Sequence, residues 1–463
     1  MDRKKLIREM ESIVGKGNVL TDRTSLSVYE YDASLCQGKP DAVAFVTKTQ
    51  QVSQLVKLAN RAGIPFLARG SGTNLSGGTL PTRGGLVINL CRMNKILELD
   101  FNNLTALVEP GLYNLALQNV LAPYGYYYAP DPASQQVSTL GGNVGENSGG
   151  PHCLKYGVTS NHVLGAEVVL PSGEIVWFGG PAPDPPGPDI LGLFVGSEGT
   201  LGIVTRVAVR LFPIPRSRQT VMAAADSFDA VIGFLDRLKK GLAGTLSAYE
   251  VMWNNYYAGV TGPDGHRAPL DRGHAFYIIA EAEGANPGAD EVRFESQLAD
   301  ALDAGVIVDA VVPKSDTERE ALWAVREGFE AVLPGYIYDV SLPIRNMTRY
   351  VERLNATLDA DWPGAIAYVF GHIADGNLHI FTAPHDGGMY RERSDAIVYG
   401  CLEGLEGSVS AEHGIGLGKR EQLHRSRSPE ELQLMLRMKR MLDPGNILNP
   451  NKIFTADDVS ASI

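Results

Sequence analysis

Two histidines, His372 and His379, stand seven residues apart in GHIADGNLHI, residues 371–380. Metal-binding pairs on one helix face sit three or four residues apart, so a helix does not account for this spacing. A hairpin does. With Asp375-Gly376 as a two-residue turn, Ala374 pairs with Asn377, Ile373 with Leu378 and His372 with His379. The two imidazoles are then cross-strand neighbours on one face, with Cβ atoms roughly 5 Å apart. Phe370 and Phe381 pair next on the same side. Either histidine alone reads as a satisfied core group; together they raise the question of what they hold.

Three glycine-rich stretches carry a second kind of chemistry. RGSGTNLSGG (69–78) follows a strand but is not a dinucleotide motif, because after Gly70 and Gly72 the next glycine is Gly77. It is not a P-loop either, since no Lys-Ser/Thr pair follows. What remains is a loop of backbone donors and small hydroxyls able to wrap a pyrophosphate. STLGGNVGENSGG (138–150) and VGSEGTLGIVT (195–205) lie further along. One such stretch alone is a turn; three in one α/β half point to a large flat cofactor lying along backbone.

These groups need elements to position them. DAVAFVT reads as a strand, TQQVSQLVKLANRAG as an amphipathic helix ending at Gly63, and IPFLARG, GLVINL and TALVEPG as further strands, a βαβ-like start. NHVLGAEVVLPSGEIVWFGG reads as a hairpin turning at Ser172-Gly173. PAPDPPGPDI, with five prolines between 181 and 188, reads as an exposed loop. Prolines in LFPIP suggest a domain boundary near 213–217. In FDAVIGFLDRLKKGL, Phe228, Val231, Leu235, Leu238 and Leu242 form one helix face. Strands HAFYIIAEAEG and GAIAYVFGHI, with helices near 290–304 and 316–332, suggest an antiparallel sheet covered by helices. The tail carries a helix, ELQLMLRMKRMLD.

The 463 residues exceed one compact core and imply two or three domains. With 44% hydrophobic and 20% charged residues, the composition is that of a soluble globular protein. Against 53 Asp+Glu stand 41 Lys+Arg, a net charge of −12, which argues against nucleic-acid or anionic-membrane binding. There is no signal-peptide core and no transmembrane segment. Cys36, Cys91, Cys153 and Cys401 have no paired spacing and read as reduced, buried thiols of a cytoplasmic protein.

RGSGTNLSGG, PDPASQ, STLGGNVGENSGG and GSEGTLGI resemble, in order and spacing, the FAD domain of flavoproteins of the vanillyl-alcohol oxidase and para-cresol methylhydroxylase type. FGHIADGNLHI, SAEHGIGLGKR and DPGNILNPNKIF resemble the C-terminal half of its D-2-hydroxyacid dehydrogenase branch, which includes D-lactate dehydrogenases, glycolate oxidase subunits and D-2-hydroxyglutarate dehydrogenases. HAFYIIAEAEG, ALWAVREG and YIYDVSLPI lean toward the last group. The resemblance implies an α+β chain: a two-subdomain FAD-binding domain (1–216), a substrate or cap domain with a helix-covered antiparallel sheet (217–420), and a C-terminal segment returning to the FAD domain (421–463).

The resemblance also implies roles. FAD phosphates are expected against Arg69, Gly70, Ser71, Gly72, Thr73, Asn74, Ser76 and Gly77. The rest of the cofactor is expected among Pro130, Asp131, Ser134, Gly141, Gly142, Asn147, Ser148, Glu198, Gly199 and Ile203. The first loop lacks the histidine that some relatives link to flavin, so the FAD is expected to be non-covalent, with His152 the alternative attachment. His372, His379 and Glu412 match divalent-metal ligands, for Zn2+ or Mn2+, leaving a position open to substrate. His413 matches the catalytic base. Adjacent Glu412 and His413 would diverge in a regular strand, and Gly414, Gly416 and Gly418 make a bend plausible. Arg326, sharing a helix face with Trp323, matches a substrate-carboxylate arginine.

The activity implied is FAD-dependent oxidation of a D-2-hydroxyacid to a 2-oxoacid, with hydride passing to flavin N5. The sequence does not identify the electron acceptor, which is left open among an electron-transfer flavoprotein, a quinone, a cytochrome and oxygen, and the oligomeric state, a homodimer included, stays open. Two alternatives stand beside it: an FAD enzyme for a phenolic alcohol or sugar, and a flavin subunit of a glycolate-oxidase-like complex. The substrate pocket departs from the D-2-hydroxyglutarate pattern. Ile337 stands where a lysine is expected, Glu330 where a hydroxyl residue is, and Phe381 where an asparagine is. That favours D-lactate or a more apolar D-2-hydroxyacid.

Overall fold

The computed structural model describes residues 2–34, 36–180, 187–263, 265–384 and 388–460. Most of the proline-rich stretch expected to be a loop, 181–186, lies outside the described residues. The chain forms two compact units. The first comprises 1–150, 157–214 and 412–463; the second comprises 151–156 and 215–411.

The first unit holds two sheets. β1 (Val19–Leu20), β2 (Ala42–Phe45), β3 (Phe66–Arg69) and β4 (Leu86–Asn89) lie in the order β1-β2-β4-β3, with β2, β4 and β3 parallel. The helix Thr49–Ala62 makes the β2-to-β3 crossover. It buries Val52, Leu55, Val56 and Ala59, one face at helical spacing, against Ala44, Phe66 and Ile88 of the strands. This is the expected βαβ start.

The second sheet is antiparallel throughout. β5 (Ile96–Asp100), β6 (Thr105–Val108), β8 (Val163–Val169), β9 (Ile175–Gly179) and β10 (Ile203–Arg210) lie in the order β5-β6-β10-β8-β9. β8 and β9 form the expected hairpin about Ser172-Gly173. A short ribbon pairs β7 (Tyr126–Tyr127) with β11 (Phe212–Pro213). The tail helix Pro429–Leu442 opens with a capping box, in which the Ser428 side chain accepts from the Glu431 N–H and the Glu431 carboxylate accepts from the Ser428 N–H.

The second unit is one seven-stranded antiparallel sheet. β12 (Ser217–Ala225), β13 (Leu246–Trp253), β14 (Phe276–Gly284), β15 (Asp309–Val311), β16 (Tyr336–Ser341), β17 (Ile366–Gly371) and β18 (Asn377–Ala383) lie in the order β15-β12-β14-β13-β17-β18-β16. The helix Phe228–Gly241 buries Phe228, Val231, Leu235 and Leu238, the face read from spacing. The helices Pro287–Asp303 and Asp316–Glu327 match the two expected, the second ending in a separate 3₁₀ turn, Phe329–Val332.

The β17–β18 hairpin corrects the sequence-derived register. Phe370, not His372, stands opposite His379, and Tyr368, not Phe370, stands opposite Phe381. The turn is longer than two residues: Ile373–Asp375 make a 3₁₀ turn closed by Gly376 at φ 82°. Gly376 takes a left-handed conformation that a side chain would disfavour. The slip is two residues, and strand side chains repeat every two, so the face is unchanged. His372, just outside the ladder, still meets His379.

Of the cysteines, Cys401 is buried as expected, whereas Cys36, Cys91 and Cys153 are partly exposed. Among the described residues no helix is long and apolar enough to cross a membrane.

The six residues 151–156 are a peg anchored in the second unit's sheet. His152 Nε2 lies 3.0 Å from Glu281 Oε1, the Tyr156 hydroxyl donates to Glu283 at 2.9 Å, and Lys155 Nζ donates to the Glu283 carbonyl at 2.7 Å. Thr220 and Trp323 also donate to Glu281. His152, Glu281 and Glu283 have the composition of a cation site. The Arg218 guanidinium, 2.7 Å from Glu283, already supplies the positive charge there. Burial pushes the Glu281 carboxyl up, but the His152 hydrogen bond and charge, then Arg218 and Thr220, outweigh it and hold the group at about 2.

Against its ordinary 4.5, that depressed value means the unfolded chain takes up the proton first as pH falls. The stabilisation from Glu281 is therefore fully present above about pH 4.5 and is lost as pH falls toward 2. Denaturant unfolding across this window should show a steep loss of stability, and Glu281→Gln should flatten that slope while lowering stability at neutral pH.

Candidate functional site

In the first unit the loop after β3 is shaped from within. Asn74 Oδ1 accepts the Ser76 N–H at 2.9 Å and the Gly78 N–H at 2.6 Å, a side-chain turn that curls 74–78. Arg69 donates to the Tyr31 carbonyl at 2.7 Å. A Cβ at Gly70 would lie 2.3 Å from Thr139 Oγ1, so the bare Gly70 backbone of the first stretch packs against the Thr139 side chain of the second. The Thr139 hydroxyl caps the helix Leu140–Glu146 by accepting from the Gly142 N–H. Asn147 and Ser148 are engaged within the protein: Asn147 Oδ1 accepts the Ser160 N–H, and the Ser148 carbonyl accepts from Thr159.

Buried polar atoms need partners. Ser138 Oγ and Asn143 Nδ2, each on a residue 3% exposed, have no hydrogen-bond partner among the described residues. They lie in the second stretch and, with Ser71 Oγ and Asn74 Nδ2 of the first, are orphaned groups that a polar cofactor would satisfy. Sequence reading missed Ser138 and Asn143, although they sit within the quoted STLGGN run. Bare backbone and orphaned polar atoms together fit FAD.

The turn carrying His413 belongs to the same unit. The Ser76 hydroxyl donates to the carbonyls of His413 at 2.8 Å and Gly414 at 3.0 Å, while the Ser76 carbonyl accepts the Leu417 and Gly418 N–H groups. The Glu198 carboxylate accepts the Ile415 N–H at 2.7 Å and the Gly416 N–H at 2.6 Å. Asn449 donates to the carbonyls of Gly78 and Glu198, tying the C-terminal segment to both loops. Gly414, at φ 74°, makes the bend; a Cβ there would lie 2.4 Å from Glu146 Oε2.

In the second unit, Arg326 leaves the helix Asp316–Glu327, whose first turn is capped by Ser315. Its Nε donates to Glu250 Oε2 at 2.7 Å, and its Nη2 lies 3.3 Å from His372 Nε2. His372 Nδ1 lies 2.5 Å from Glu250 Oε1. Arginine has only donors, so His372 Nε2 must be the acceptor and Nδ1 must carry the proton given to Glu250. The imidazole is thus held with Nδ1 toward Glu250 and its Nε2 lone pair toward Arg326. The His372 and His379 rings are 5.1 Å apart and nearly perpendicular. Phe370 lies beneath the Arg326 guanidinium at 4.9 Å, with Tyr256 stacked on it at 4.1 Å.

Glu250 is the residue that sequence reading missed. It is fully buried in β13, a strand with every position from Leu246 to Met252 buried. Burial pushes its carboxyl up, but the Arg326 charge and the hydrogen bonds from His372 and Arg326 outweigh it and hold it below the ordinary carboxylate range. The available signal was a single acid inside LSAYEVMW, since a charge in a wholly buried strand requires a partner.

Asp339, fully buried on β16, stands opposite His379 in the ladder. Its Oδ2 accepts the Ala411 N–H at 2.9 Å and the Ser410 hydroxyl at 3.1 Å. The chain leaving the second unit is therefore held there, and Glu412 is the next residue. Ile337 pairs with Phe381, and both pack in the apolar cluster that contains Phe370 and Phe329. Glu330, on the 3₁₀ turn, is exposed.

Comparison with known proteins identifies the class. Residues 40–179 match the FAD binding domain family and residues 214–453 match the C-terminal domain of FAD linked oxidases. The chain belongs to the FAD-linked oxidases and is an FAD-linked oxidoreductase. It is 34% identical to glycolate oxidase subunit GlcD of Bacillus subtilis, covering 97% of this chain and 96% of that protein. It is 32% identical to D-2-hydroxyglutarate dehydrogenase of Stutzerimonas stutzeri, over 97% and 99% of the two chains. Its fold is that of p-cresol methylhydroxylase in a substrate-bound structure, with TM-score 0.79 at 19% identity over 99% of this chain and 98% of that one.

Replacing Glu250 by Gln would turn an amide donor toward either Arg326 or the His372 Nδ1 proton and leave the buried guanidinium without a counter-charge. A loss of about 3 kcal/mol in urea unfolding is expected, with FAD content unchanged.

Proposed function

We propose that this protein oxidises a D-2-hydroxyacid to the 2-oxoacid, with His372, His379 and Glu412 holding a divalent cation, zinc or manganese. The observation that carries the reading is the Glu250-fixed tautomer of His372 beside His379; the Nε2 lone pair that would bind the cation accepts from Arg326 in this structure. An imidazole serving only as core would not need its tautomer fixed by a buried carboxylate. Glu412 follows Ala411 by one peptide bond, and Ala411 is held on Asp339 opposite His379. Two imidazoles and a carboxylate are a donor set suited to zinc, with a position left for substrate.

Bound FAD supplies the hydride acceptor, and the bound cation supplies Lewis acidity at the 2-hydroxyl. The chain's own residues do the rest. Arg326 binds the substrate carboxylate, its plane steadied by Phe370 beneath it. His413 takes the hydroxyl proton, its backbone held by Ser76. Ser71, Ser138 and Asn143 in the glycine-rich loops hold the cofactor non-covalently.

Ile337 and Phe381 set substrate choice. They pack with Phe370 and Phe329 into an apolar wall, which offers a second carboxylate no polar group of its own. Burying such a charge unpaired costs several kcal/mol, and about 1.4 kcal/mol is tenfold in rate. D-Lactate or a longer apolar D-2-hydroxyacid is therefore preferred to D-2-hydroxyglutarate.

Steady-state assays with an artificial dye acceptor test this directly. A kcat/KM more than about tenfold higher for D-lactate or an apolar D-2-hydroxyacid than for D-2-hydroxyglutarate is expected. A clear preference for the dicarboxylate overturns the pocket assignment. Exhaustive chelation, and separately His379→Ala, should abolish turnover while FAD stays bound. Full activity in metal-free protein removes the cation from the reading. Acid should release the flavin; flavin remaining on the denatured chain would redirect attention to His152.

A further inference from the structure

We propose that Glu198 is a positioning residue for His413, clamping the backbone of the turn that carries it rather than contacting the cofactor. This rests on the reading of His413 as the base. Both carboxylate oxygens are committed, Oε1 to the Ile415 N–H and Oε2 to the Gly416 N–H. These are the second and third peptide groups after His413, so the clamp and the Ser76 hydroxyl grip the turn on either side of the Gly414 bend.

Glu198 is itself held for this task. It is 7% exposed and adopts φ 52°, a left-handed conformation that residues other than glycine, asparagine and aspartate rarely take. Its N–H donates to the Gly145 carbonyl at 2.8 Å, and its carbonyl accepts from Asn449 at 2.8 Å. A residue needed only to present a carboxylate to a ligand would not require the strained backbone that aims it at two peptide groups of another segment.

A second acid closes the arrangement. Glu146 Oε2 and Glu198 Oε1 would lie 2.4 and 3.1 Å from a Cβ at Gly414, so the bend has no room for a side chain. Burial pushes both carboxyls up. Glu146 moves much further because the Glu198 charge adds to burial, whereas the two backbone N–H groups, Lys419 and Lys452 draw Glu198 back. Of the two, Glu198 keeps its charge more readily, because the N–H groups that it caps favour its ionised form.

Glu198→Gln keeps the shape but turns an amide donor toward one of the two N–H groups. Because displacement of a catalytic group by about 1 Å can cost on the order of 100-fold, kcat is expected to fall about 10- to 100-fold. KM should stay within about twofold and the FAD-to-protein ratio should match wild type. Glu198→Asp keeps two acceptors at shorter reach and should recover part of the lost kcat. The His413 imidazole resonance, assigned by its disappearance in His413→Asn, should shift in Glu198→Gln, a readout that does not depend on His413 being the base. Loss of FAD from Glu198→Gln, with normal kcat once FAD is restored, would make Glu198 a cofactor contact and overturn the proposal. An unshifted resonance with unchanged kcat would overturn it as well. If Glu198→Gln does not fold, Glu198→Asp decides: wild-type kcat with an unshifted resonance refutes the clamp. Retained turnover in His413→Asn would refute the base assignment alone, leaving the resonance shift to judge the clamp.

Discussion

A single buried carboxylate, that of Glu250, is answerable to two groups at once, and the second unit's site is arranged around that constraint. An ionised acid at the centre of an antiparallel sheet is tolerated only when its charge and its lone pairs are both met. Arg326 meets the charge and one oxygen, and His372 meets the other. The helix bearing Arg326, the end of β17 bearing His372 and β13 are thereby fixed relative to one another. Because Arg326 also faces His372 Nε2, the triad leaves only one protonation state for the imidazole. Charge, tautomer and position are set by one network.

The same device recurs. Asp339 holds Ala411 and Ser410, Glu281 gathers His152, Thr220 and Trp323, and in the first unit Glu198 gathers two backbone N–H groups. Buried ion pairs add little net stability over well-packed apolar groups, but their hydrogen-bond directions are demanding. They specify where loops and peptides must lie. In this chain the segments specified in this way are short connections: the peg 151–156, with its one helical turn Cys153–Tyr156, the exit at 410–411 and the turn 412–418.

The fold accommodates chemistry well beyond one substrate. The likeness to p-cresol methylhydroxylase at 19% identity is one of architecture, and the relatives at 32–34% carry different substrate names. Function therefore has to be argued from side chains at the site. Here the side chains from which such an argument starts are the apolar wall of Ile337, Phe381, Phe370 and Phe329 and the Glu250, Arg326 and His372 network.

The amino-acid sequence by itself determined whatever depends on local spacing. It was enough for the helix Thr49–Ala62 and its buried face, the β8–β9 hairpin, the helix Phe228–Gly241, the three glycine-rich stretches and the presence of both histidines on one face. Local periodicity records which side of an element is buried, and an even register slip preserves that side. That is why the placing of His372 near His379 survived a wrong pairing of β17 with β18. Tertiary structure alone decided the pairing itself, because the 3₁₀ turn closed by Gly376 depends on how β17 and β18 sit in the sheet. It also decided that Glu250, 122 residues from His372, orients it, and that Glu198, 217 residues from Ile415, caps its turn. A buried acid announces in sequence that it needs a partner; only the folded chain brings that partner to it, across separations that no local pattern encodes.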